Sequence, residues 1–197
     1  MNRVQPVLKI MLVDDQIERA ACVREALADD GYEVICVLNS ALELYEQVRL
    51  CAPDVIIIDT ESPSRDVIEH IALISRDQPR PIVMFAADRE GETIRCAIRA
   101  GVTAYVVDGL SAERIQPILN VAIERFGTEQ SLKRELADAR GALLERKLTE
   151  RAKGIIMSQA DVTEDEAFRR LRKFAMDRGI KMAEAAQQVI GSAKVLG

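Results

Sequence analysis

The sequence predicts an α/β fold, a doubly wound parallel sheet of five strands, followed by an all-helical tail. Three observations predict it. Short apolar runs rich in Val and Ile recur five times within the first 126 of the 197 residues. Amphipathic stretches of helical period separate them, and the final third carries helical period alone.

The runs are Leu8–Val13, Val34–Leu38, Val55–Ile58, Ile82–Phe85 and Tyr105–Val107. They are nearly continuous rather than alternating, as strands read when helices cover both faces of a parallel sheet. The intervening helices are expected near Gln16–Asp29, Ala41–Leu50, Asp66–Arg76, Glu90–Ala100 and Ala112–Phe126, with Gly31, Pro53 and Gly101 at the helix-to-strand turns. Five βα units of this length fit the flavodoxin-like strand order 2-1-3-4-5.

The fifth helix has no clean stop. Gly127 is a weak point, yet a helix-favouring, charge-rich stretch continues from Glu129 to about Ser158. Leu132, Leu136, Ala139 and Leu143 recur at four- and three-residue steps, a short heptad seam that slips afterwards to Leu144 and Leu148. It reads as a modest coiled coil suited to a homodimer, or as a bare surface helix. Further on, Thr163-Glu164-Asp165-Glu166 is a capping box. Ala167, Leu171, Phe174 and Ala175 make one apolar stripe, Gly179 ends that helix, and Met182, Ala185, Ala186, Val189, Ile190 and Ala193 line the last. Met157, Met176 and Met182 read mostly as core, since spacing alone does not separate an exposed Met from a buried one. The expected organisation is a domain over residues 1–126, a helical linker over 127–150, and a helical domain over 151–197 whose first helix continues the linker.

Composition narrows the function. No apolar run approaches the length of a membrane span and no apolar signal core precedes the first strand, so a cytoplasmic location is expected, with no membrane partner. The four cysteines, Cys22, Cys36, Cys51 and Cys96, are not at ligand spacing, and His70 is the sole histidine, which argues against zinc. No Ser/His/Asp set or glycine-rich phosphate loop is visible, so no enzyme activity is expected. The net charge of −5 hides an asymmetry: residues 1–128 hold 13 Lys+Arg against 21 Asp+Glu (−8), residues 129–197 hold 14 against 11 (+3). The two halves are therefore suited to different partners.

In a 2-1-3-4-5 sheet, strands 1 and 3 are neighbours and ligands bind beyond their C-terminal ends. Asp14 and Asp15 close strand 1 and Asp59 closes strand 3, so three carboxylates converge. Like charges held that close raise one another's pKa and favour a hard cation such as Mg²⁺. The pattern Leu12-Val13-Asp14-Asp15 with Val55-Ile56-Ile57-Ile58-Asp59 resembles a response-regulator receiver domain. The resemblance implies Asp59 as the phosphoacceptor position, Asp14 and Asp15 as its metal-binding pair, and Tyr105 as the aromatic switch position. Two positions depart from it. Ala86 stands where receivers carry a Ser or Thr, and Asp108 where they carry a Lys. A negative charge in place of that Lys disfavours an acyl phosphate by Coulomb repulsion, so control by a partner protein rather than by phosphorylation is expected.

The tail carries a second resemblance. Arg151-Ala152-Lys153-Gly154-Ile155-Ile156-Met157, then Glu164-Asp165-Glu166-Ala167-Phe168 and Leu171-Arg172-Lys173-Phe174-Ala175-Met176, resemble the ANTAR domain of AmiR- and NasT-type antiterminators, with segments of the first domain most similar to the NasT branch. That implies binding to tandem stem-loops in a nascent leader RNA, control of nitrate and nitrite assimilation genes, and a nitrate-sensing partner of the NasS type. No cofactor is required for this, and Mg²⁺ at the acidic pocket is left open. Arg151, Lys153, Arg169, Arg170, Arg172, Lys173 and Lys181 are the cations available for phosphates, with Lys153 and Arg172 expected nearest the RNA. Gly154 would admit an RNA backbone close to the helix, or mark a helix crossing. The bland reading of the Arg169–Lys173 cluster is a solvated helix face. The alternative function is a phosphorylation-controlled regulator whose tail binds DNA or a protein. Against DNA, the helix after Gly179 begins with Ile180, Met182 and alanines, too apolar a face to read a major groove.

Overall fold

The structure is a computed structural model that describes residues 7–107, 110 and 112–196. The chain divides into two compact units, Met1–Gln130 and Ser131–Gly197. The first holds β1 (Lys9–Asp14), α1 (Ile17–Asp29), β2 (Glu33–Leu38), α2 (Leu44–Cys51), β3 (Val55–Thr60), α3 (Arg65–Asp77), β4 (Ile82–Ala86), α4 (Gly91–Ala100) and β5 (Ala104–Val107). A single helix, α5 (Ala112–Ala160), follows, and α6 (Glu164–Arg178) and α7 (Met182–Leu196) complete the chain.

All four strand pairings are parallel and the order is β2-β1-β3-β4-β5. The flavodoxin-like arrangement expected from the sequence is therefore present. Side chains alternate across a strand, and here each set meets its own helices. Met11, Val13, Ile56, Ile58 and Met84 pack on one face with Leu44, Val48, Ile71, Ile74 and Ala97 from α2, α3 and α4. Ile10, Leu12, Ile57, Val83 and Phe85 pack on the other with Val23 and Leu27 of α1 and with Ile115 and Leu119 of α5. Burial on both faces is why the strands read as unbroken apolar runs.

Two local details differ from the sequence expectation. The segment beginning at Ala41 opens as a 3₁₀ turn, Ala41–Glu43, before α2 proper. Ser40, whose hydroxyl accepts the Leu42 N–H, caps it at 3.2 Å. Gly31 and Gly101 do take positive φ at their turns, but after α2 the left-handed residue is Ala52, at φ 47° and ψ 57°. Pro53 disfavours the α region for the residue before it, so the helix ends there, and Ala pays a Cβ–carbonyl contact that Gly avoids. Ala52→Gly is expected to stabilise the first unit by about 1 kcal/mol, read as a higher urea midpoint at unchanged slope. An equal or lower midpoint would refute the strain.

The second unit is built on the C-terminal part of α5 with α6 and α7. Ala152, Leu171, Ala175, Ala185, Ala186 and Ile190 are its buried core, and Leu148, Ile155, Phe174 and Val189 pack against it. Alanines make up four of its six buried residues. Thr163 caps α6 by accepting the Glu166 N–H at 3.4 Å, and Gly179 closes it at φ 63°. The first turn of α6 holds Glu164, Asp165 and Glu166, and its last turn holds Arg178. Met182 packs on this core, but Met176, spaced like a core residue, is 70% exposed. Its position on α6 falls just outside the stripe formed by Ala167, Leu171 and Ala175.

Gly127, Gly141 and Gly154 lie inside α5 without interrupting it. Leu132, Leu136, Leu143 and Leu144 are each more than half exposed. The heptad seam therefore has no partner within this chain among the described residues. Among them, no helix is long and apolar enough to cross a membrane.

Candidate functional site

Parallel register places the acidic cluster. In the β1–β3 ladder Asp14 lies opposite Asp59, at the C-terminal ends of both strands. Both are buried, while Asp15, one residue on, faces solvent. Asp14 Oδ1 accepts the Gln16 N–H at 2.8 Å, which fixes the carboxylate plane at the entry to α1.

A fourth residue completes the cluster. Arg19 sits in the first turns of α1, five residues after Asp14 and four after Asp15, and a helical side chain leans back toward the N-terminus. Its guanidinium binds Asp14 in bidentate fashion, Nε to Oδ2 at 2.9 Å and Nη2 to Oδ1 at 2.8 Å. Nη2 also reaches Asp15 Oδ1 at 3.4 Å. Nε lies 2.9 Å from Asp59 Oδ2 as well. The single Nε hydrogen already points to Asp14, so Asp59 Oδ2 has ionic contact but no hydrogen-bond partner.

The electrostatics follow from that arrangement. Burial pushes the Asp59 carboxyl up to about 6; Arg19 opposes the shift, and Asp14 and Asp15 add to it. The hydrogen bonds from Arg19 to Asp14 raise the guanidinium's own pKa, against a smaller opposing effect of burial.

Beside Asp59 lies a cavity of about 210 Å³ whose lining includes Asp15, Asn39, Ser40, Thr60, Ser62 and Ser64. Ala86, fully buried, is paired with Thr60 in the β3–β4 ladder and offers no hydroxyl. Asp108 lies outside the described residues. The half-buried Tyr105 donates its hydroxyl to the Asp88 carbonyl oxygen at 3.0 Å. The Asp88 carboxylate accepts the Glu90 N–H and the Ser62 hydroxyl, each at 2.8 Å, and these bonds hold its pKa below the ordinary value.

The cations of the second unit fall into two groups. Lys153 is only 8% exposed and spans Glu150 at 2.8 Å and Glu164 at 2.6 Å, tying α5 to the first turn of α6. Arg169 and Arg170 both pair with Glu166. Arg151, Arg172, Lys173 and Lys181 are exposed and make no ion pair among the described residues. Phe168, 42% exposed, stands one turn before Arg172 on α6, and Met176 one turn after. A Cβ added at Gly154 would meet nothing within 4 Å, so no contact in this chain requires a glycine there.

Residues 10–120 match the response regulator receiver domain family and residues 137–190 match the ANTAR domain family. The transcriptional regulatory protein PdtaR of Mycobacterium tuberculosis is 31% identical over 182 residues, which cover 92% of this chain and 89% of that protein. This chain is a response regulator of the receiver–ANTAR family. The receiver–ANTAR chain is also 26% identical over 176 residues to the nitrate regulatory protein of Klebsiella oxytoca, covering 89% of this chain but 38% of that protein. A solved signal receiver domain, from a modulated diguanylate cyclase of Desulfovibrio desulfuricans G20, superposes with a TM-score of 0.55 at 22% identity. It covers 62% of the regulator and 98% of that domain, and shows the fold alone.

Receiver domains typically hold Mg²⁺ at such a pocket. In this regulator, Asp14, Asp15 and Asp59 as arranged do not fit one, because the guanidinium of Arg19 already sits among their oxygens. Among the described residues no group of three or more His, Cys, Asp or Glu side chains is placed to hold a metal ion. Sequence reading found the three aspartates and missed Arg19, although its spacing from the Asp14-Asp15 pair was available as a signal.

Proposed function

We propose that this regulator is a transcription antiterminator, binding tandem stem-loops of a leader RNA through the exposed face of its C-terminal helices. The observation that carries the reading is the set of exposed cations Arg151, Arg172, Lys173 and Lys181, without an ion pair among the described residues, together with exposed Phe168 and Met176, all within the segment that matches the ANTAR domain. RNA loops offer phosphates to cations and unstacked bases to aromatic faces. The α6 stripe Phe168–Arg172–Met176 presents both kinds of group on one face. Lys153, held by two glutamates, acts in this reading as the tie between α5 and α6, and Arg172 as the principal phosphate contact.

A nitrate- or nitrite-responsive target, with a nitrate-sensing partner of the NasS type gating the protein, is supported by the similarity to the nitrate regulatory protein. Ala86 and Asp108 argue for partner gating over phosphorylation, since one lacks a hydroxyl and the other opposes a phosphoryl group. The exposed seam Leu132, Leu136, Ala139 and Leu143 suits pairing with a second copy, which would present two tails to two hairpins.

The test is a titration against leader RNA with two tandem stem-loops, scrambled-loop RNA and duplex DNA, with and without a phosphoryl donor, at fixed salt. Loop-dependent binding indifferent to the donor is the expected result. Equal affinity for scrambled RNA or DNA removes the function, and donor-dependent binding removes the gating scheme.

Gly154→Ala separates an RNA-facing glycine from a structural one. Ala is the better helix former and the position is open, so stability is expected to rise by about 0.5–1 kcal/mol. RNA affinity is expected to fall at least tenfold if a nucleotide packs there, about 1.4 kcal/mol. Unchanged RNA affinity would exclude Gly154 from the interface.

A further inference from the structure

We propose that Arg19 is the resident cation of the receiver pocket, and that this domain works there without a divalent metal. The inference concerns the N-terminal unit alone and stands whether or not RNA is the ligand of the tail.

The pocket gathers three carboxylates, two of them buried, and something positive must sit among them. Arg19 meets that need with a geometry suited to carboxylates. Its planar fork takes both oxygens of Asp14, its second edge reaches Asp15, and Nε lies against Asp59. A Mg²⁺ ion requires oxygen ligands at about 2.0–2.1 Å in near-octahedral array. Ligated by Asp14 and Asp59, it would lie against Nε, placing two like charges in contact. Metal and guanidinium are therefore mutually exclusive occupants.

Occupancy then becomes a competition that the tether favours. Arg19 is anchored one turn into α1, whose Ala20, Val23 and Leu27 are buried in the sheet-facing core, so the guanidinium is delivered to the pocket by folding itself. Its side chain keeps 32% exposure, which leaves it a route out if a metal does win. The competition is thus open to measurement.

The protein should be titrated with Mn²⁺ and Mg²⁺, Mn²⁺ by electron paramagnetic resonance and Mg²⁺ by calorimetry, as wild type, Arg19→Gln, and Arg19→Gln combined with Asp14→Asn. Wild type is expected to show no saturable binding up to about 10 mM, and the thermal midpoint is expected to be the same with Mg²⁺ as with NaCl of equal ionic strength. Arg19→Gln is expected to gain a saturable Mn²⁺ site, at least tenfold tighter than any wild-type signal, which Asp14→Asn abolishes. Saturable metal binding by wild type, or a wild-type midpoint raised specifically by Mg²⁺, overturns the proposal. So does a folded Arg19→Gln protein that gains no metal site, because something other than Arg19 would then be keeping the ion out. Should Arg19→Gln fail to fold, the wild-type midpoint comparison alone decides.

Discussion

Leu171→Ala is expected to abolish RNA binding by unfolding the C-terminal unit while leaving the receiver intact. Leu171 is fully buried at the centre of a core otherwise made of alanines, Ile190 and partly exposed side chains. Large-to-small substitutions at such sites cost about 2–5 kcal/mol, toward the upper end where neighbours cannot collapse into the gap. Alanines hold no spare rotamers with which to fill it. A unit the size of Ser131–Gly197 has a total stability of the same order, at roughly 0.05–0.15 kcal/mol per residue. Chemical denaturation followed by circular dichroism should show the transition of the helical unit lost or moved to low denaturant, with the transition of the sheet-containing unit unmoved. Retention of RNA affinity by Leu171→Ala would mean that the core assigned to this unit is not what holds its binding face.

Asp59→Asn is expected to stabilise the receiver at neutral pH. The Asp59 carboxyl is pushed up to about 6, chiefly by burial, with Arg19 only partly offsetting it. In the unfolded chain an aspartate titrates near ~3.9, so the folded state favours the protonated form. Its contribution to stability is fully present below ~3.9 and is lost as pH rises through the folded value, leaving the wild type penalised above it. A difference of about two pH units corresponds to roughly 2–3 kcal/mol. Asn removes that penalty, so the gain should be largest at pH 7 to 8 and should vanish by about pH 4. A pH-independent gain would show that the titration of Asp59 is not its source, and a loss at pH 7.5 would show that the Arg19–Asp59 contact outweighs the cost of burying the charge.

The chain revealed its fold and withheld part of its site for one physical reason. Strands buried on both faces announce themselves as continuous apolar runs, and parallel register follows from the βα alternation. Asp14 and Asp59 could therefore be brought together from sequence alone. Ala86 was likewise legible, since it ends β4 beside Thr60. Arg19 was not, because its role depends on the rotation of α1 about its axis, which amphipathic spacing fixes only to within a broad stripe. Lys153 was read as an exposed cation because Glu150 is a local neighbour but Glu164 arrives only when α6 folds back. Met176 shows the same limit from the other side, since spacing could not tell an exposed Met from a buried one and this one is exposed. The uninterrupted course of α5 was obscured by Gly127, whose cost of about 1 kcal/mol is absorbed by strong helix formers on either side.

The capped, acidic start of α6 gives the helix a direction that matters to any polyanion. Helix N-termini ordinarily attract phosphate through free N–H groups and the positive end of the dipole. Here Thr163 takes one of those donors, and Glu164, Asp165 and Glu166 oppose the field, two of them in turn paired with Lys153, Arg169 and Arg170. Attraction begins only past the second turn, at Arg172 and Lys173. A phosphate chain laid along this helix would thus find little attraction at one end and unpaired cations in the middle. In the RNA-binding role proposed above, such an asymmetry would favour placements centred on Arg172 over ones shifted toward Glu164.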